Sequence, residues 1–273
     1  MEGTADLHIH STHSDGSSAV EELLHRAQKA GLSTISITDH DTTNALEEAR
    51  SLANGTGIEV VSGVELSTTH GDAEVHILGY FFNHQSPGLQ SYLAHCRTAR
   101  LRRAERMVEK LNGLNIPLRL ESVLQQAGTG SIGRPHIANA LVEEGLTENY
   151  YEAFSRYIGN GKPAYESKDQ VTSAEAVELL AEAGGLSFVA HPGTMIDERL
   201  LKELIQAGID GVEVIHPSHS PDLVRYYRGI VHEYFLLESG GSDYHGIKKG
   251  GADVFGKFRI SQECIDMMRR RLQ

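Results

Sequence analysis

Tryptophan is absent from this chain of 273 residues, and cysteine is limited to Cys96 and Cys264. Two cysteines so far apart form neither a disulfide framework nor a metal or redox spacing, which excludes a stapled scaffold and a thiolate zinc site. No run approaches the roughly 18 apolar residues that span a bilayer, and no basic segment followed by an apolar one stands at the N-terminus. A cytoplasmic protein without a membrane partner is therefore expected. Positive charge is also short: 25 Lys and Arg against 37 Asp and Glu leave a formal net charge of −12, which opposes long-range attraction of polyanions and argues against duplex DNA as a partner. An anionic substrate would need a local positive centre. Internal repeats and low-complexity tracts are missing, so nothing marks a flexible linker, and no obligate protein partner is evident.

What the chain does have is histidine, 15 in all. Three of them and two aspartates fall within DLHIHSTHSDG, Asp6 to Gly16. The length suits one large α/β domain, since closed barrels of repeated β-α units typically run to about 250 residues. Short runs rich in Val, Ile and Leu alternate with amphipathic stretches, the pattern of a largely parallel sheet. Strands are expected near residues 5–10, 34–38, 59–66, 74–81, 186–190, 211–215 and 234–239. Capping boxes at Ser18–Glu21 and Thr172–Glu175 open two helices, Gly31 closes the first, and THGD forms a hairpin between the third and fourth strands. Between about residues 87 and 165 the alternation lapses into helices. The expected organisation is a distorted barrel domain, 1–86 and 166–273, interrupted by a helical insertion domain, 87–165.

The histidines sit at the strand ends. His8 and His10, two apart on a strand, point the same way and can grip one ion. His40 follows strand two, Glu65 closes strand three, His76 lies on strand four and His191 follows strand five. His216 and His219 follow strand six, while Asp243 and His245 follow strand seven. In a barrel these positions share one rim, where the loops after the strands build active sites.

With DLHIHSTHSDGS, TDHDT, GVE, VHILGY, AHP and GSDYHG occurring in that order, the chain resembles the PHP (polymerase and histidinol phosphatase) family over nearly its whole length. It is most similar to the bacterial branch of nucleotide and short-RNA phosphoesterases. The resemblance implies a distorted (β/α)7 barrel, up to three divalent ions and phosphoester hydrolysis. Carried over by position, it implies the ligands His8, His10, Asp15, His40, Glu65, His76, His191, Asp243 and His245.

Mixed imidazole and carboxylate ligands suit Mn, Fe or Zn better than Mg or Ca. Two or three such ions outweigh the charge of Asp15, Glu65 and Asp243 and supply the positive centre that an acidic protein otherwise lacks. The expected chemistry is attack on phosphorus by a metal-bridging hydroxide held by Glu65 and Asp243, with Asp243 or His216 assisting proton transfer. The Arg-Pro-His of SIGRPHIANAL opens a helix whose N–H groups attract anions, so Arg134 and His136 are expected to contact the phosphate, with Lys162 and His219 as further contacts. Arg97, Arg100, Arg102, Arg103 and Arg106, on one helix, read either as a solvated face or as a track for single-stranded RNA. The expected substrates are nucleoside 3′,5′-bisphosphates, AMP or short single-stranded RNA. Histidinol phosphate is an alternative, as is a non-catalytic scaffold module; an amidohydrolase is disfavoured because AEVHILGYFF offers no bridging lysine.

Overall fold

The computed structural model describes residues 4–71, 73–167, 171–193, 196–246 and 252–273. Seven strands form one sheet whose spatial order is the chain order: β1 (Ala5–Ile9), β2 (Thr34–Ile37), β3 (Glu59–His70), β4 (Ala73–Tyr80), β5 (Leu186–Val189), β6 (Gly211–Ile215) and β7 (Leu237–Gly240). All pairings are parallel except those of β4, which runs against both β3 and β5. The sheet nearly closes. His10 N–H donates to Tyr244 O at 2.9 Å, and Gly241 lies so close to β1 that a Cβ there would sit 2.3 Å from His8 N. The result is a distorted (β/α)7 barrel.

Helices α1 (Val20–Ala30) and α2 (Ala45–Ala53) connect the first three strands. Between β4 and β5 lie α3 (Pro87–Gly113), α4 (Leu120–Ala127), α5 (Arg134–Glu143) and α6 (Tyr150–Ala153), the last continued by a π turn, Phe154–Ile158. Helix α7 (Ser173–Glu182) leads into β5, α8 (Glu198–Gln206) and α9 (Pro221–Glu233) make the remaining crossovers, and α10 (Gln262–Arg271) ends the chain. No helix among the described residues is long and apolar enough to cross a membrane.

Every residue of β1, β2 and β5 is buried, as expected where strands are covered on both faces. Ala5, Leu7, Leu78, Tyr80, Phe188 and Leu237 share one cluster with Ile265 and Met268, so the barrel interior is filled by side chains and stoppered by α10. A separate cluster built from α3 to the π turn, including Met107, Leu111, Ile137 and Leu141, gives the helical stretch its own core.

The Thr172–Glu175 capping box forms, Glu175 N–H donating to Thr172 Oγ1 at 3.2 Å, and Gly31 closes α1 at φ 70°. The box at Ser18 does not form: the N-cap is Ala19, and Ser18 is buried with its carbonyl accepting from Thr12 N–H. The last strand begins at Leu237 rather than 234, because Phe235, at φ 54°, is the left-handed exit of α9, with Leu236 N–H returning to Val231 O. Of the expected THGD turn, Thr69, His70 and Gly71 are seen, with His70 facing Ala73 across the hairpin; Asp72 lies outside the described residues.

Register irregularities fall where the site begins. Between Asp6 and Ile9, β1 carries one residue more than β2 opposite it, and β6 does the same against β7 between Glu213 and Ile215. Such bulges re-aim side chains. They lie beside His8 and Glu213, which face each other at 2.9 Å. Because β4 is reversed, its N-terminal half reaches the rim, and His76 pairs in register with Ser67.

Candidate metal centre

Glu65 is the hub, fully buried in the middle of β3, which runs on to His70 past the expected end at residue 66 because it pairs with β4 as a long hairpin. Its Oε2 lies 3.4 Å from His8 Nε2, 3.2 Å from His10 Nε2 and 3.1 Å from His40 Nδ1. Its Oε1 lies 2.7 Å from His76 Nδ1 and 3.0 Å from His191 Nε2. Asp243 Oδ1 stands 3.2 Å from both His8 Nε2 and His10 Nε2, and Asp15 Oδ1 stands 3.3 Å from His245 Nε2. Four groups of potential ligand atoms, each mutually within 4.8 Å, can be drawn: His10, Asp15, His40 and His245; His8, His10 and Asp243; His8, Glu65 and His191; His40, Glu65 and His76. Together they draw on the nine expected ligands.

A hydrogen-bonded network does not account for this arrangement. Asp15 Oδ1, His40 Nδ1 and His76 Nε2 are buried without hydrogen-bond partners, although His40 Nδ1 is only 3.1 Å from Glu65 Oε2. Orphaned buried polar atoms are costly. Their close but misaligned approach fits donors directed at shared cations, and imidazole with carboxylate is a suitable donor set. The clusters therefore fit divalent metal binding.

Burial alone would push the Glu65 carboxyl up, but His40, His76 and His8 outweigh it and hold the group well below the usual carboxylate range. Asp243 is held low in the same way by His8 and His245, and Asp15 by His40 and His245, again against burial. The histidines diverge. Burial, reinforced by His10 and His76, pulls His40 down to about 3 despite the neighbouring carboxylates. His10, although buried, is pushed up to about 10 by its bonds to Asp243 and Glu65.

Supporting carboxylates were missing from the sequence expectations. Glu213 takes His8 Nδ1 on one oxygen at 2.9 Å and the backbone N–H of His191 on the other at 2.6 Å. The latter bond helps hold His191 at φ 26°, a conformation costly for a non-glycine residue. Asp39 accepts from Ser11 N–H (2.8 Å), Ser11 Oγ (2.6 Å) and Ser14 Oγ (2.6 Å), shaping the loop that delivers Asp15. Asp6 accepts Ser242 N–H at 2.9 Å and Gly256 N–H at 3.0 Å, tying the Asp243 loop to β1; burial pushes its carboxyl up to about 6 despite those bonds. A glutamate inside the apolar run GVEVI is the signal that could have exposed Glu213, since a buried carboxylate needs a partner.

His216 Nδ1 accepts from Ser218 N–H at 3.1 Å, which leaves the proton on Nε2, 3.3 Å from Asp243 Oδ2. His219 does not offer a substrate contact as expected: Nε2 accepts from Gly193 N–H and Nδ1–H donates to Val214 O, each at 2.9 Å, so both ring nitrogens are spent on holding the loop after His191. His136 is also turned inward. Its Nδ1 accepts from Gly133 N–H at 2.9 Å and the ring bonds the Ser14 backbone, fastening the start of α5 to the loop after β1. Arg134 does reach the rim, stacked over Phe154 and Tyr165 at 5.8 and 5.6 Å and bonded to Asn160 Oδ1 at 2.6 Å. It shares a cleft with His76 and His191. Lys162, on the same turn as Asn160, is exposed.

The arginine run is neither a solvated face nor a continuous track. Arg100 is buried against Asp41 at 2.6 Å, Arg103 is buried with Nε donating to Glu166 O at 2.9 Å, and Arg106 pairs with Glu166 at 2.8 Å. Only Arg97 and Arg102 of the five are exposed.

The PHP domain family model matches residues 6–182. The chain belongs to the PHP family. Among its relatives, the 3′,5′-nucleoside bisphosphate phosphatase of Chromobacterium violaceum is 35% identical over 256 residues, 91% of this chain and 90% of that protein. The 5′-3′ exoribonuclease Rnm of Escherichia coli is 33% identical over 247 residues, covering 88% of this chain and 84% of that protein. A crystal structure from Bifidobacterium adolescentis, provisionally described as a metal-dependent phosphoesterase, superposes with a TM-score of 0.91 at 31% identity, covering 99% of this chain and 97% of that one.

Proposed function

We propose that this protein is a cytoplasmic, divalent-metal-dependent phosphoesterase that hydrolyses the phosphomonoester of a small nucleotide, such as a nucleoside 3′,5′-bisphosphate or AMP. One observation carries the reading: nine donors, carried on or just after six of the seven strands, meet around Glu65 in four overlapping groups. His8, His10, His40 and Glu65 each belong to two of the groups, which supports two or three neighbouring ions of Mn, Fe or Zn. Bound there, such ions would lower the pKa of water toward 7 and offset charge on the entering and leaving oxygens.

The remaining steps belong to the chain itself. Glu65, Asp15 and Asp243, ionised by their imidazole neighbours, supply the negative charge that retains the cations. Arg134, preset by Phe154, Tyr165 and Asn160, would fork onto phosphate oxygens at the edge of the centre. His216, whose Nδ1 accepts from Ser218 N–H, directs Nε2–H toward Asp243 and would steady that carboxylate beside the cations. Residues 87–165 serve in this reading as the insertion that carries Arg134 to the rim. The bisphosphatase relative supports mononucleotide substrates, and the internal pairing of Arg100, Arg103 and Arg106 removes a reason to prefer RNA.

The test is metal analysis of the purified protein, followed by phosphate release from adenosine 3′,5′-bisphosphate, AMP, histidinol phosphate and 5′-phosphorylated short RNA. Turnover of the first two with Mn, abolished by chelation, is expected. Preference for histidinol phosphate or RNA would reassign the substrate, and metal-independent turnover would overturn the reading.

A further inference from the structure

Two clefts of about 350 Å³ each flank the metal centre, and they differ in character. On the side of His76 and His191 the wall carries the Arg134 guanidinium, the Asn160 amide and the Glu74 carboxylate, with Val75, Ile196 and Leu200 between them. On the side of Asp15, Asp243 and His245 it is built from Pro135, Tyr150, Pro217 and Val254, and among the described residues it bears no charged side chain beyond those of the centre itself. The volume lies at the lower end of the range for small-molecule sites, about 300–1,000 Å³.

We infer that this second cleft, where Pro135, Tyr150, Pro217 and Val254 face Asp15, His216, Ser242, Asp243 and His245, is a base subsite, taking the planar ring of a nucleobase against Tyr150 while the scissile phosphate lies over Asp15 and Asp243. The inference rests on the phosphoesterase reading above and adds to it an orientation and a means of selection. Tyr150 opens α6, where Asn149 Oδ1 accepts the Glu152 N–H at 2.9 Å, and its ring packs on Phe154 with centroids 4.9 Å apart. A ring fixed in this way loses little freedom when a base stacks on it. Pro135 and Pro217 present apolar surface without an N–H that a base would leave unpaired. Since among the described residues this cleft offers a second phosphate no lysine or arginine, a bound bisphosphate has one favoured direction, with its base toward Tyr150 and its further phosphate toward Arg134. Esters lacking an aromatic group would forgo the stacking and be turned over less efficiently.

The test compares the manganese-loaded enzyme on adenosine 3′,5′-bisphosphate and on 1-deoxyribose 3,5-bisphosphate, which lacks the base. The ratio of the two kcat/KM values should favour the base-bearing compound in the wild type and survive Tyr150→Phe. It should fall by about 5- to 150-fold, mainly through KM, in Tyr150→Ala and Tyr150→Leu, the span that base–aromatic stacking covers. The leucine variant retains apolar packing against Phe154 and guards against a folding failure. A ratio near one in the wild type, or an unchanged ratio in both the Ala and Leu variants, overturns the subsite. Quenching of 2-aminopurine riboside 3′,5′-bisphosphate fluorescence on binding needs no turnover and separates the two claims. Quenching that depends on the Tyr150 ring without phosphate release from any compound sinks only the phosphoesterase reading; phosphate release without such quenching sinks only the base subsite.

Discussion

The rim of the barrel and the helical stretch beside it are both rich in charge, and they use it in opposite ways. In the helices the charges close on one another: Arg106 and Lys110 share Glu166, Arg119 meets Glu144, and Arg100 runs inward to Asp41. At the rim, carboxylates and imidazoles crowd within 4 Å of each other, yet three buried donor or acceptor atoms stay unpaired. His191 and Asp243 there also adopt positive φ, at 26° and 47°. Density of charge does not separate site from scaffold. Convergence does: buried unpaired atoms occur in the helices too, at Arg103 Nη2 and Thr147 Oγ1, whereas those of the rim belong to groups of mutually close imidazoles and carboxylates flanked by strained backbone, an arrangement that persists only where the surrounding fold over-determines it.

The contrast breaks most sharply at its hub. Glu65→Gln preserves shape but removes the charge that five imidazoles surround, so the cations lose their shared anchor. Phosphate release should fall on the order of 10³-fold, the scale seen when a preorganised electrostatic group is deleted, and bound metal measured by mass spectrometry should fall with it. Full metal content and turnover in that variant would show that Glu65 is not the hub. Glu213→Gln is the next step down. It retains an acceptor for the His191 N–H but weakens the hold on His8, and substitutions of this supporting kind cost about 10- to 100-fold in metal affinity or activity. A competition titration with a chromogenic chelator measures it, and unchanged affinity would relegate Glu213 to filling the strand.

How far the site could be read in advance follows from the same difference. The ligands were legible because strand ends recur in the chain as apolar runs, and HxH on a strand commits both rings to one face; His8, His10, His40, Glu65 and His191 needed no knowledge of packing. The barrel followed from the alternation, although β7 was placed three residues early because Tyr234 and Phe235 look like strand residues while completing the end of α9. The roles of His136 and His219 were not legible. Whether an imidazole faces a substrate or a backbone amide depends on where Gly133, Ser14, Gly193 and Val214 lie in three dimensions. The arginine run misled for a similar reason: helical spacing places Arg100 and Arg103 on one face but does not say that the face is turned inward.

Phe154, Tyr165 and Asn160 orient Arg134 without neutralising it, since none of the three carries a charge. Arg134→Lys keeps the charge but loses the planar fork, so KM for a nucleoside bisphosphate should rise about 10-fold or more, in line with the roughly 1.5–3 kcal/mol of a hydrogen bond to a charged group. Arg102→Lys, on exposed α3, should leave KM where it was. Equal effects from the two would mean that the preset guanidinium has no special place in binding.

The smallest effect concerns His136, a positioning histidine whose shift is opposite in sign to that of the ligand His10. Burial holds its pKa below the ordinary value, against the pull of Asp15 and its bond to the Ser14 backbone. A base with a lowered folded pKa contributes stability that is present above its unfolded value of about 6.5 and lost as the pH falls through the folded value. Burial lowers His40 too, whereas His10, pushed up to about 10, contributes in the opposite sense, with stability lost as the pH rises toward that value. His136→Gln isolates the one residue, because glutamine can still accept the Gly133 N–H and donate to Ser14 but does not titrate. Melting temperatures of wild type and variant, measured with chelator present from pH 8 to pH 5, should run parallel above pH 6.5. Below it the wild type should fall more steeply. Parallel curves throughout would mean that the ring carries its proton in the folded state, and Gly133 N–H would then need another acceptor.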